Sequence, residues 1–401
     1  MQQGGCSCQL LPPQSRIEAT ACMRVHIDEP AGPIELTSFH LRGWAADERS
    51  VSDIQVSVNN MPCRIFRYCR PDVVKAYPGC ETTGFSAFVR LADLHLTDQM
   101  DIAIHSGGAE LHRRSLRVAP GAVANLADEE RSRLHKREWV LSRVICVRCG
   151  GCLNTKALCE SCGHAHADGG VLDFIPLEFK EPQLEFNGAI CSHGYDETVD
   201  RIVGQVESAD GMALDCGAGW RKSVRRSIVT TDIFPYPTTD VLAVNQRLPF
   251  QDEVFDAVLS LHVLEHVPDP FGCARELCRV LKPGGTLLAV TPMIVPEHGF
   301  PHHFFNPTRE GLALLFRHVD GEARIFVPEL GHPINGVRTV LDLYTNSLPA
   351  PQREKLLALT VHDLLAHSVA DWVKEDIATA MSEDGRMCLA ANLSIELVKR
   401  G

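Results

Sequence analysis

Between Ala213 and Val290 the hydrophobic residues come in short runs, each closing on a small or acidic residue: ALDC, SIVTTD, DVLAV, DAVLSL and TLLAV. Runs of this length, separated by turn or helix signals, predict buried parallel strands whose carboxyl ends carry a ligand site. The segment PDPFGCARELCRVLKPGG has a helical period, with proline near its start and Gly284-Gly285 closing it. Residues 186–210 predict another helix, covering the sheet. Earlier in the chain the pattern is different. Over residues 23–118 short alternating segments such as DIQVSVNN, GFSAFVRL and MDIAIHSGG are broken by Gly, Pro, Asn and Asp, the signature of an antiparallel β-sandwich, with Asn59-Asn60 as a hairpin turn. Residues 119–145 predict a connecting helix, acidic first and basic later, as the helix dipole favours. After the parallel strands, RIFVPEL predicts a sixth strand and CLAANLSIELVKR a seventh. The helical stretch between them, about 334–384, reads as an insertion capping the acceptor side. Residues 1–22 read as a loosely packed lead. The expected fold class is α/β: a Rossmann-like seven-stranded sheet over residues 186–401, an N-terminal antiparallel sandwich, and a small cysteine-rich element at 146–180.

Composition narrows the function more than the fold. A formal net charge of −12 over 401 residues supplies no basic field to gather phosphates, which argues against a dedicated nucleic-acid or anionic-membrane binder. The clusters Arg131 to Arg137 and Arg221 to Arg226 read as solvated faces. No apolar run approaches the ~20 residues that span a bilayer. The first residues lack a basic start and an apolar core, so no signal peptide is expected. Most of the sixteen cysteines are scattered singly, as reduced buried thiols would be, which points to a cytoplasmic protein.

One group of cysteines stands apart. CVRCGGCLNTKALCESCG pairs Cys146 with Cys149 and Cys159 with Cys162, two CxxC knuckles separated by nine residues. Four thiolates on two such turns can close a tetrahedron around a structural Zn2+ with no open position. Cys152, His164 and His166 are nearby substitutes for one thiolate.

The ligand site of the sheet is read strand by strand. In ALDCGAGW a strand ends at Asp215, and Gly217 and Gly219 let the chain turn close beneath a ligand. Trp220 stands where a third glycine would support a dinucleotide loop, which counts against a pyrophosphate. Asp232 ends the next strand, where a carboxylate can accept from both hydroxyls of a ribose. Asn245 follows the third strand and can accept from an adenine amino group while Leu248 packs on the ring. His262, Glu265 and His266 lie at the carboxyl end of the fourth strand. Taken singly, these residues could be strand-end caps and turn glycines, and His266 a hydrogen-bonded structural histidine. The loop PEHGFPHHFFNPT holds His298, His302 and His303, candidates for a second metal site or a general base.

LPFQDEVFDAVLSLHVLEHVPDPFGCARELCRVLKPGG is nearly unbroken over some forty residues and resembles the class I S-adenosylmethionine-dependent methyltransferases. The resemblance implies S-adenosyl-L-methionine as cofactor. Its expected contacts are Asp215, Cys216, Gly217, Ala218, Gly219, Asp232, Ile233, Asn245, Gln246, Leu248 and His262. Asn245 stands in place of the family's usual acid, and the helix between the first two strands is expected to be abbreviated. His266, His302 and His303 are the catalytic candidates. The continuation HADGGVLDFIP resembles small zinc ribbons found before or beside methyltransferase domains. The order GWA, a strand, RPDVVKAYPG and then GF resembles immunoglobulin-like modules attached to enzymes of bacterial surface-polysaccharide assembly. These resemblances imply a small-molecule or glycan acceptor, glycan-assembly enzymes as partners, and O-methylation of a sugar. The ribbon alone would equally suit a tRNA or protein acceptor. A scaffold that has lost activity is the reading from a different class, motivated by Trp220 and Asn245.

Overall fold

A computed structural model describes residues 23–48, 50–95, 98–168, 171–180, 194–299, 302–319, 321–328 and 331–391. The lead at 1–22 lies outside them. Two units divide these residues, one up to Val123 and one from Ala124 on.

In the first unit the alternating segments form β1 (Arg24–Glu29), β2 (Ser38–Asp47), β3 (Gln55–Val58), β4 (Met61–Cys63), β5 (Phe66–Tyr68), β6 (Glu81–Arg90), β7 (Gln99–Ser106) and β8 (Ala109–Arg117). Helix α1 (Pro71–Ala76) falls between β5 and β6. Every pairing is antiparallel, in two four-stranded sheets ordered β1-β2-β6-β5 and β4-β3-β7-β8. Asn59 and Asn60 take φ of 47° and 63° and connect Val58 to Met61, the primed turn that matches strand twist. Phe85 is fully buried against Gly43, where a Cβ would lie 2.3 Å from the ring, so only glycine admits it. Trp44 sits between His26 and Tyr77, at ring separations of 6.0 and 5.4 Å.

Helix α2 (Pro120–Leu141) is the expected connecting helix. The second unit continues with β9 (Ala167–Asp168), β10 (Val171–Asp173), α3 (Glu197–Ser208), β11 (Ala213–Cys216), β12 (Ile228–Asp232), β13 (Val241–Leu242), β14 (Phe255–Leu261), α4 (Pro270–Val280) and β15 (Leu281–Val290). These strands make one sheet in the order β15-β14-β11-β12-β13-β10-β9, parallel throughout except for β9. Helix α3 starts at Asp196, whose carboxylate accepts from the Val199 N–H at 2.9 Å. Its apolar face, Val199, Ile202, Val203 and Val206, covers Ala213, Ile228, Ala257 and Leu259. Between β11 and β12 no helix forms, where an abbreviated one was expected.

Three expectations need correcting. The sheet has seven strands, but its outer pair, β9 and β10, comes from residues 167–173 and not from the C-terminal part of the chain. Arg324 to Val327, expected as a sixth strand, form none, and Ile325, Phe326 and Val327 are exposed. An apolar run becomes a strand only where an edge is offered to it, and the pattern alone does not say which edge is free. The proposed seventh strand falls mostly on residues 392–401, outside the described residues, and Cys388 at its start ends a helix. Helix α4 also ends earlier than expected. It stops at Val280, and Lys282 to Gly285 continue as β15, where a Cβ on Gly285 would meet the Asp256 carbonyl at 2.9 Å.

The remaining helices are α5 (Arg309–Leu315), α6 (Pro333–Asn346), α7 (Ala350–Ala358), α8 (Val361–Ala366), α9 (Val369–Trp372), α10 (Asp376–Thr379) and α11 (Glu383–Cys388). From α6 on they gather around their own small core of Leu348, Leu356, Ile377 and Met381. The cysteine-rich residues do not stand alone. Ala157, Leu172 and Phe174 share a buried cluster with Val140, Leu214, Val241, Phe250 and Phe255 of the sheet unit.

Lys136 anchors α2 to this sheet, so its part of the basic cluster is not a solvated face. Its ammonium is fully buried and donates to Asp240 Oδ2 at 2.6 Å and to the Ile228 carbonyl at 3.0 Å. Burial lowers its pKa, against the opposing pull of Asp240. Lys136→Ala would leave the Asp240 carboxylate buried without its counter-ion, a loss of about 3 to 5 kcal/mol. Urea denaturation should show a correspondingly lowered midpoint; a shift worth less than about 1 kcal/mol would mean that Asp240 does not depend on Lys136 for its compensation.

Candidate active site and metal centre

The carboxyl ends of β11, β12 and β13 are neighbours in the sheet, so parallel pairing alone brings Asp215, Asp232 and the turn holding Asn245 together. Gly217 and Gly219 both have positive φ, 70° and 64°. A Cβ on Gly217 would lie 2.6 Å from Val263, so the loop after β11 can fold against the end of β14 only with glycine there.

Each carboxylate has its own compensation. Asp215 is fully buried, and its Oδ2 accepts from Tyr195 Oη at 2.7 Å and from Arg221 Nε and a terminal guanidinium nitrogen at 3.0 and 2.8 Å. Its Oδ1 has no hydrogen-bond partner among the described residues. Burial first, and the Asp215 charge second, raise the Tyr195 pKa, so the phenol stays a donor. Asp232 accepts from the Gly219 N–H at 2.8 Å and the Phe234 N–H at 2.9 Å. Desolvation nevertheless raises its pKa to about 6, against the pull of those amides. A carboxylate offers roughly four acceptor sites, so two amides leave capacity for hydroxyl donors.

The other expected contacts divide into two groups. Ala218, Ile233, Asn245 and Gln246 lie in the loops beside these strand ends, with Asn245 buried. Cys216 and Leu248, by contrast, belong to the buried core cluster. Burial pushes the Cys216 thiol well up. The Leu248 N–H is tied to Glu276 Oε2 at 2.8 Å. His262 is exposed with φ of 59°, in the left-handed region, directly after β14.

Sequence reasoning missed Tyr195, placed Glu265 at the end of the fourth strand without giving it a role, and took Arg221 for a surface charge. Arg221 is buried as the counter-ion of Asp215, and Tyr195 lies under its guanidinium at 4.5 Å. The available signal was an arginine immediately after a glycine loop that follows a strand-end acid.

The three catalytic candidates are differently placed. His266 Nδ1 is 2.5 Å from the His302 carbonyl, so this nitrogen carries the proton and Nε2 is left as an acceptor. Burial lowers the His266 pKa, keeping the ring neutral. His303 has both ring nitrogens engaged, Nδ1 accepting from the His298 N–H at 3.1 Å and Nε2 donating to Asn306 Oδ1 at 2.9 Å. His302 has an exposed side chain, and its carbonyl positions His266. A cavity of about 450 Å³ adjoins these residues, lined by Glu297, His298, His302, Asp384, Met387 and Cys388.

Residues 205–289 match the family model described as a methyltransferase domain. The Rossmann-like sheet just described is the one typical of S-adenosylmethionine-dependent methyltransferases. Over 57 residues the chain is 42% identical to a cycloartenol-C-24-methyltransferase of Oryza sativa subsp. japonica, which covers 14% of this chain and 16% of the rice protein. Over 68 residues it is 41% identical to an uncharacterised methyltransferase of Mycobacterium leprae, 16% of this chain and 25% of that protein. The chain thus spans a quarter or less of the length of these curated relatives. Among solved structures, a complex of a Haloferax volcanii methyltransferase activator with its putative methyltransferase aligns at 18% identity and TM-score 0.23, over 34% of this chain and 79% of that one. A Bacillus protein aligns at 15% identity and TM-score 0.26, over 42% and 88%.

The four cysteines of the two knuckles converge, each offering its sulfur within 4.8 Å of the others. Cys146 Sγ lies 3.7 Å from Cys162 Sγ, and Cys149 Sγ 3.4 Å from Cys159 Sγ. Zinc–sulfur bonds of about 2.3 Å in a tetrahedron separate sulfurs by about 3.8 Å, so this donor set fits Zn2+. The two knuckles are built alike. Gly150 and Gly163 follow them with φ of 74° and 69°, and their N–H groups return to the Cys146 and Cys159 carbonyls at 2.8 and 2.9 Å. The N–H of Cys162 is the main cause that draws the Cys159 thiol down to about 6. Cys152 and His164 are not members of the cluster. His166 is buried beside it, Nε2 at 3.2 Å from Cys146 Sγ and its ring stacked on Phe174 at 4.5 Å, so it supports a ligand and does not replace one. The double variant Cys149→Ser with Cys162→Ser should lose one zinc per chain in elemental analysis and, because Ala157 and Phe174 belong to the main core, lower the melting temperature of the sheet unit. Equal metal content in variant and parent, both kept reduced, would remove the site.

Proposed function

We propose that the chain transfers a methyl group from S-adenosyl-L-methionine to a hydroxyl of a sugar or glycan acceptor. The observation that supports the donor half best is the methyltransferase-domain match over a segment whose strand ends carry Asp215 and Asp232 side by side. The residues suit that cofactor. Asp215 retains a buried oxygen without a partner, and Asp232 retains acceptor capacity for ribose hydroxyls. Asn245 would accept from the adenine amino group, and the Gly217 to Gly219 loop would let the backbone approach closely. Asn245 brings an acceptor without the charge of an acid, so adenine is held by a neutral hydrogen bond of about 1 kcal/mol.

When bound, the cofactor supplies a methyl group made electrophilic by its sulfonium. What remains for the chain is to hold the acceptor oxygen in line, exclude water and accept a proton. With both ring nitrogens of His303 engaged, His266 Nε2 and the His302 ring are the proton acceptors on this reading, beside a cavity of about 450 Å³ that would receive the acceptor. The glycan assignment draws on the first unit, whose two antiparallel sheets suit the immunoglobulin-like modules of glycan-assembly enzymes.

The acceptor class is tested on the full chain with isotopically labelled S-adenosyl-L-methionine against the host's glycans, lipid-linked sugars and tRNA, with mass spectrometric readout. The expected product is a methyl ether on a sugar, with an acceptor affinity little changed between 50 and 200 mM salt, because a net charge of −12 leaves little phosphate neutralisation to screen. Methyl incorporation into tRNA, with binding that weakens steeply with salt, would overturn the glycan assignment.

A further inference from the structure

Beside the strand-end site, Glu265 is a fully buried carboxylate, and neither of its oxygens has a hydrogen-bond partner among the described residues. An ionised carboxylate in such a place is sustained by a cation or by several donors. The N–H groups of Phe304 and Phe305, which come close by, donate to the Glu265 backbone carbonyl at 2.7 and 3.3 Å and not to its carboxylate. What faces the carboxylate is imidazole. His266 Nε2 is 4.0 Å and His262 Nδ1 3.7 Å from Oε1, and one donor atom each of Glu265, His266 and His298 lie within 4.8 Å of one another.

The hydrogen bonds behind these rings point the same way. His266 Nδ1 is held by the His302 carbonyl at 2.5 Å, and His298 Nδ1 by the Pro296 carbonyl at 2.9 Å. Each carbonyl fixes its ring with the proton on Nδ1 and the lone pair on Nε2, the arrangement that a metal-bound histidine takes from its surroundings. His303 is excluded as a ligand because both its nitrogens are engaged.

We propose that Glu265, His266 Nε2 and His298 Nε2 form a second metal site, which takes a divalent first-row transition ion such as Zn2+, Co2+ or Fe2+. Two imidazoles and a carboxylate are the donor set of such ions, whereas Mg2+ and Ca2+ prefer oxygen throughout. Bonds of about 2.1 Å require the ligands to draw in by roughly 1 Å. That movement falls on His298, which is exposed on a loop, while Glu265 and His266 stay fixed in a helical turn at the end of β14. Three protein ligands leave at least one position open, and His298 lines the cavity of about 450 Å³ from which an oxygen ligand would enter. An ion on His266 Nε2 takes that ring out of proton transfer and leaves His302 as the proton acceptor. That consequence rests on the methyl-transfer reading, whereas binding of the ion does not.

Titration with Co2+ of full-length protein whose cysteine site is already filled with zinc separates the two centres. The expected result is one further equivalent bound, with the weak ligand-field absorption of nitrogen and oxygen donors and no intense thiolate charge-transfer band. His298→Ala and Glu265→Gln should each weaken this binding at least about tenfold. Because His298 is an exposed loop residue, His298→Ala should keep the parent's circular dichroism and melting temperature. No second equivalent in the parent, or equal Co2+ affinity in a folded His298→Ala variant, would overturn the proposal. Neither outcome depends on whether the protein methylates anything.

Discussion

Carboxylates buried at the carboxyl end of a parallel sheet are what the functional half of this chain is built to support. Asp215 and Glu265 are fully buried and Asp232 partly so, and each is held at the end of a strand or in the turn just after one. Leaving such charges without compensation costs several kcal/mol apiece. The chain answers differently each time. Arg221 and Tyr195 meet Asp215, and the amides of Gly219 and Phe234 meet Asp232. Around Glu265 stand His262, His266 and His298. The absence of a helix between β11 and β12 follows the same logic. No helix N-terminus lends its partial positive charge to the loop, and the full guanidinium charge of Arg221 stands beside Asp215.

The cysteine-rich segment belongs to this construction and is not an appendage to it. Strand β10, which follows the knuckles, pairs with β13 through Leu172 opposite Val241, and Phe174 stacks on His166 beside Cys146. The knuckle end of the segment is tied in as well, with the Ile145 N–H donating to the Pro249 carbonyl at 2.8 Å. Pro249 adjoins Leu248, in the turn that carries Asn245. The cysteine-rich segment and the third strand of the sheet thus share the β13 edge and one core.

Local pattern exposed what depends on neighbours in sequence. The five runs from ALDC to TLLAV, the Asn59-Asn60 turn, the helix of α3 and the two CxxC knuckles are all contained in short windows of residues, and each is found where the pattern put it. What depends on partners distant in the chain was not readable. Nothing near RIFV says that no edge awaits it, and nothing near VLD says that β13 does. Arg221 and Lys136 sit among other basic residues and look like solvated surface until Asp215 and Asp240 are brought against them. Leu248 and Glu265 show the same limit within the most legible motif. Their positions beside the strand ends were clear, while the burial that turns one into core and leaves the other's carboxylate without a hydrogen-bond partner among the described residues appears only in three dimensions.

The central claim, that the strand ends at Asp215 and Asp232 hold S-adenosyl-L-methionine, is tested most directly by calorimetric titration of the full chain with that compound across pH. Ribose hydroxyls require the ionised Asp232 carboxylate, whose pKa is raised to about 6, so affinity should be full above that pH and be lost as pH falls through it. Asp232→Ala should weaken binding at pH 8 by about 1.5 to 3 kcal/mol and abolish this pH dependence. An absence of binding at millimolar cofactor, or an affinity unchanged by Asp232→Ala, would contradict the account and favour a scaffold with a methyltransferase-like fold.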